Sequence, residues 1–147
     1  MSSRALYRAA AILLLLFAAG HTVGFLTLQP PTAEARAAFD AMNTVHFPMG
    51  RSSLSYGGFY RAFGLMVTVY LLFSALVAWQ LGSDARSRGP SFAMLGWALC
   101  ATQVASLVLS WIYFALPQML FSGLIAACLA GGTWLAMSEG PTRNAAM

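Results

Sequence analysis

His21 and Arg61 are the two ionisable side chains set within otherwise apolar stretches, and any chemistry is sought first around them. His21 falls about seven residues before the end of its stretch, hence ~10 Å below the membrane surface if that stretch is a helix rising 1.5 Å per residue. An imidazole at that depth can exchange a proton, hold a ligand or hydrogen-bond a neighbouring helix. Arg61 opens a second stretch on a face with Gly57, Gly64, Thr68 and Ala75. It either snorkels to the headgroups or turns inward to grip an anionic group. Gln103 shares a helical face with Gly96, Ser106, Ser110 and Tyr113, and a polar stripe on a membrane helix must look inward. His46 and Arg51, between the first two stretches, and Tyr60, beside Arg61, complete the candidate binding set.

Such a cluster suits an amphiphile whose polar or anionic head meets the arginines while its tail stays in apolar surroundings, so binding of a lipid or hydrophobic small molecule is the leading expectation. An alternative is an enzyme for a lipid-soluble substrate, with His21 as acid or base and Arg61 or Gln103 polarising an oxygen. No carboxylate lies in an apolar stretch, which weakens both that reading and proton-coupled export. All eight basic residues are arginine, which excludes lysine Schiff-base chemistry. Haem ligation would need both His21 and His46, of which one lies within a span. Cys100 and Cys128 have neither Cys-x-x-Cys nor zinc-site spacing and read as small packing residues, so no cofactor and no metal is expected. A structural or partner-binding subunit, or a homo-oligomer, is the remaining reading.

The elements that position these residues are membrane helices. Of 147 residues 59% are hydrophobic and 8% charged, and the mean hydropathy is +0.70, too little charge to cover a soluble domain. A net charge of +4 comes from scattered single arginines, which excludes a nucleic-acid stripe. Four windows reach the ~20 residues that a bilayer requires, about 5–28, 58–80, 91–113 and 116–137. The predicted fold is therefore all-α, a single antiparallel bundle of four transmembrane helices over 1–147. Pro30 and Pro31 stop the first span, a polar turn over 82–90 separates the second and third, and Pro117 suits the first turn of the fourth. Arg4, Arg8, Arg86, Arg88 and Arg143 on one side outnumber Arg36, Arg51 and Arg61 on the other, so both termini are expected in the cytoplasm of a multi-pass cell-membrane protein. Arg4, Arg8 and Ala33-Glu34-Ala35 also fit a signal peptide, but the apolar run is longer than its usual core.

Residues 29–57 form the one substantial external segment. Thr32 can cap a short helix whose Phe39, Met42 and Val45 or His46 oppose Glu34, Arg36 and Asp40, an amphipathic helix lying on the membrane surface or covering the bundle mouth. Phe47-Pro48-Met49-Gly50 and Arg51-Ser52-Ser53 then read as a turn-rich connector. Close helix contacts are expected at Gly20 with Gly24, and at Gly123, Ala127 and Gly131. A tight hairpin would set Ser106 level with Ser122, Ser110 with Gln118, and Cys100 with Cys128, as two free thiols rather than a disulfide.

Gly20-His21, Arg51-Ser52 and Phe59-Tyr60-Arg61-Ala62-Phe63-Gly64-Leu65 together resemble an uncharacterised family of small bacterial four-helix integral membrane proteins. The chain departs from that pattern at Ala62, where a glycine is expected, and in lacking a tryptophan near Tyr56. The resemblance implies the topology and a bacterial inner-membrane setting, and it brings no activity.

Overall fold

A computed structural model describes residues 2–83, 90–114 and 116–138. Helix α1 runs Ser3–Thr27, α2 Ala33–Thr44, α3 Tyr56–Ser83, α4 Pro90–Tyr113 and α5 Leu116–Ser138, with strands β1 His46–Met49 and β2 Ser52–Ser55 between α2 and α3. Helices α1, α3, α4 and α5 are long and apolar enough to cross a bilayer. Their starts follow from local capping. Ser2 Oγ accepts from Ala5 N, and Ser55 Oγ accepts from Gly58 N, so each serine satisfies an orphan donor of the first turn. Arg86, Arg88 and Arg143, on which the orientation rests, and most of the 82–90 turn lie outside the described residues.

Thr32 caps α2, its hydroxyl accepting from Ala35 N at 3.1 Å, and α2 buries none of its residues. The expected connector after it is instead an antiparallel hairpin, His46 opposite Ser55 and Met49 opposite Ser52. Gly50, at φ +62°, opens its two-residue loop, a conformation that turns of this length require and that only glycine adopts without strain. Pro48 pairs with Ser53 at a position adjoining the hydrogen-bonded Met49–Ser52 pair, so its missing N–H points away from the partner strand and no ladder bond is lost.

The chain forms two compact units, residues 1–17 with 71–147, and residues 18–70. The core of the first is built from Tyr7, Leu14, Leu71, Ala78, Leu99, Ile125 and Leu129. Tyr7 is wholly buried, and its hydroxyl shares a 2.8 Å hydrogen bond with Thr133, which also donates to Leu129 O. Gly96 makes room for that pair, since a Cβ there would lie 2.5 Å from Thr133 Oγ1 and 2.7 Å from the Tyr7 hydroxyl. On α5 the buried face is Ser122, Ile125, Ala126, Leu129, Gly132, Thr133 and Ala136. The close approaches lie at Gly131, against Leu6, and at Gly132, against Leu6 and Tyr7, while Ala127 is exposed, so of the face read in the sequence Gly131 is packed and Ala127 is not.

In the 18–70 unit, Thr22 donates to Ala18 O at 2.7 Å and shares a 2.8 Å hydrogen bond with Thr68, tying α1 to α3. The Phe25 ring fills the space that a side chain at position 64 would take, and Asn43 does the same at Gly57, seating α2 on the start of α3. Phe47 carries the hairpin onto Tyr56, with ring centroids 4.7 Å apart, and Phe59 meets both Phe47 and Phe63 in tilted ring contacts.

Candidate functional site

The 18–70 unit contains a cavity of about 280 Å³ lined by Phe25, Leu26 and Leu28 of α1 and its exit, Phe39 of α2, and Gly57, Tyr60 and Arg61 of α3. Its walls are aromatic and aliphatic, and Arg61 is its one charged lining residue. The volume sits just under the ~300–1,000 Å³ of drug-sized sites, enough for a head group and the start of a chain. The wall is set by close approach: Phe25 leans into the place left by Gly64 and meets Tyr60 at a centroid distance of 5.2 Å.

Arg61 is exposed, and among the described residues its guanidinium has no hydrogen bond or ion pair. Tyr60 shares the cavity with it. His21 does not line the cavity; its ring stacks on Phe25 at 5.8 Å and its Nε2–H donates to Gly64 O at 3.0 Å. That bond makes His21 a clip between α1 and α3 behind the cavity wall. His46 is exposed, its Nδ1–H donating to Thr44 O at 2.8 Å, and Arg51 is exposed in the hairpin loop. Neither lines the cavity.

Gln103 belongs to the other unit, where it is wholly buried on α4 with Gly96, Leu99, Cys100 and Ser110. The inward polar stripe ends at Ser110: Tyr113 is 73% exposed, and Ser106 turns its hydroxyl back to Thr102 O. Cys100 and Cys128 are free thiols, and the Cys100 Sγ points to Ala126 O at 3.6 Å. No neighbouring side chain lies within 4 Å of a Cβ built at Gly20 or Gly24, so the expected contact there is not made. The helices of this unit approach through Gly57 and Gly64 instead, where large side chains fill the gap. A larger apolar groove of about 580 Å³ between 73–81 of α3 and 91–95 of α4 carries no ionisable residue.

Among the described residues no group of three or more His, Cys, Asp or Glu could hold a metal ion. Glu34, at the α2 N-terminus, has its carboxyl held below the usual carboxylate range by its own backbone N–H and then by the Thr32 hydroxyl. Sequence reasoning missed Phe25, Leu26, Leu28 and Gly57 as site residues. Their signal was present in the seven-residue spacing of Gly57 and Gly64 and in Phe25 lying one turn beyond His21. Compared with known protein families, curated proteins and solved structures, the chain matches none.

Proposed function

We propose that this membrane protein binds an amphiphile, a lipid or hydrophobic small molecule with an anionic head, in the 18–70 unit. The carrying observation is the apolar cavity of about 280 Å³ whose lining holds Arg61, unpaired among the described residues. In this reading Arg61 takes the head, Tyr60 adds a hydroxyl beside it, and Phe25, Leu26 and Leu28 flank the tail as it passes into the bilayer. Binding is favoured over acid–base catalysis because His21, the candidate acid or base, does not line the cavity.

The same reading places the chain in a bacterial inner membrane as an antiparallel bundle of four spans with both termini in the cytoplasm. Contacts of Gly96 with Thr133, Trp97 with Met137 and Cys100 with Ala126 suit antiparallel α4 and α5. Half-burial of Ala35, Phe39, Met42 and Asn43, against full exposure of Glu34, Arg36 and Asp40, supports α2 as an amphipathic cover.

Native mass spectrometry of the protein in mild detergent tests the proposal. Wild type is expected to retain a discrete amphiphile that Arg61→Gln loses. A bare wild-type chain, or equal retention by Arg61→Gln, would overturn it.

A further inference from the structure

Arg4 and Arg8 stand one helical turn apart on α1, with Tyr7 between them. Because Tyr7 is wholly buried and bonded to Thr133, the roll of α1 is fixed. Both arginines then meet the last turn of α3. Arg4 Nε–H donates to Gly82 O at 3.1 Å, one of the final carbonyls that a helix leaves without an internal donor. The Arg8 guanidinium lies over the Trp79 ring, 5.1 Å from its centroid. Gly82 is the seat of this seam: a Cβ there would lie 3.3 Å from Tyr7 Cβ and 3.4 Å from both Arg4 O and Arg8 Cγ.

Among the described residues, each contact leaves donors unused. Arg4 spends its Nε–H and keeps its terminal N–H groups, while Arg8 spends only the face of its guanidinium and keeps the N–H edge. Neither has an acidic partner among the described residues, and α1, α3, α4 and α5 contain no aspartate or glutamate.

We infer that this seam is a binding site for the phosphate of an anionic phospholipid. Two anchored planar forks match phosphate geometry, and their anchoring lowers the cost of ordering them. A lipid phosphate is the source because the arginines sit at the ends of spanning helices, at headgroup level, beside a tryptophan of the kind that marks that interface. The inference is independent of the Arg61 cavity.

The test is native mass spectrometry of the full chain taken from nanodiscs that contain equal phosphatidylglycerol and phosphatidylcholine. Wild type is expected to retain phosphatidylglycerol preferentially. Arg4→Gln and Arg8→Gln should each lower that retention roughly five-fold, the effect of one arginine near an anionic surface. Arg36→Gln, at an exposed position of α2 outside both sites, should leave it unchanged. Trp79→Leu keeps both charges and frees Arg8, so it should lower retention by a factor of about two to five and covers the case in which an arginine variant fails to insert. Equal retention of the two lipids, unchanged retention in Arg8→Gln and Trp79→Leu, or displacement of the lipid by an equal concentration of inorganic phosphate would each overturn the assignment.

Discussion

A hydroxyl pair joins helices in each unit, Tyr7 with Thr133 in one and Thr22 with Thr68 in the other, but the two differ in the space around their remaining polar groups. In the 1–17 and 71–147 unit, Tyr7 and Thr133 satisfy each other across a glycine that leaves no spare volume. In the 18–70 unit, His21 bonds a backbone carbonyl, the glycines at 20 and 24 have no neighbour within 4 Å, and a cavity lies open with a lone cation in its lining. The first pattern joins helices, because a buried hydroxyl pair is worth having only when both partners are present. The second leaves an exposed arginine beside a cavity.

The sharpest way to break this contrast is by adding methyl groups to glycines. Gly96→Val should destabilise the protein by about 1–3 kcal/mol, since its Cβ meets the Tyr7 and Thr133 oxygens, whereas Gly20→Ala with Gly24→Ala should be neutral or slightly stabilising. Thermal unfolding in one detergent compares them, and equal losses would erase the distinction. A smaller effect is expected at the clip. His21→Ala should cost on the order of 1 kcal/mol in the same assay, the scale of one interhelical hydrogen bond in a membrane, while keeping the amphiphile that Arg61→Gln loses. Loss of ligand together with stability would move His21 from wall to binding residue.

The smallest effect concerns Glu34. Its carboxyl pKa is depressed in the folded chain, so its contribution to the first turn of α2 is present above the unfolded value of about 4.3 and is lost as pH falls through the folded value. Amide exchange at Ala35 and Arg36, corrected for the intrinsic pH dependence, should accelerate in acid in wild type and not in Glu34→Gln. A pH-independent protection factor in wild type would contradict this.

The spans were legible because a bilayer dictates helix length and forbids charge, so Pro30, Pro31 and the arginines mark their ends without tertiary knowledge. The Thr32 cap was legible for the same local reason. Which helix face is filled was not, because spacing defines a face but not its neighbour: Gly20 and Gly24 have the same spacing as any packing motif, yet Phe25 on Gly64 makes the contact. The hairpin was hidden by composition, since Pro48 and the serines at 52, 53 and 55 have low strand preference, and pairing is decided by Gly50 and by Phe47 docking on Tyr56. Arg61 could be named from sequence, but its cavity could not, because Phe39 and Leu28 reach it from segments distant along the chain.

Pro48 has a further consequence for the life of the chain before it is fully folded. A two-stranded ribbon has two raw rims, each a template on which another extended chain can add and begin to aggregate. On β1 the outward donor at the middle of the rim is missing, so an incoming strand finds an acceptor there and nothing to accept from. The residue that made the strand hard to recognise also makes it a poor seed for self-association while the spans around it are being inserted.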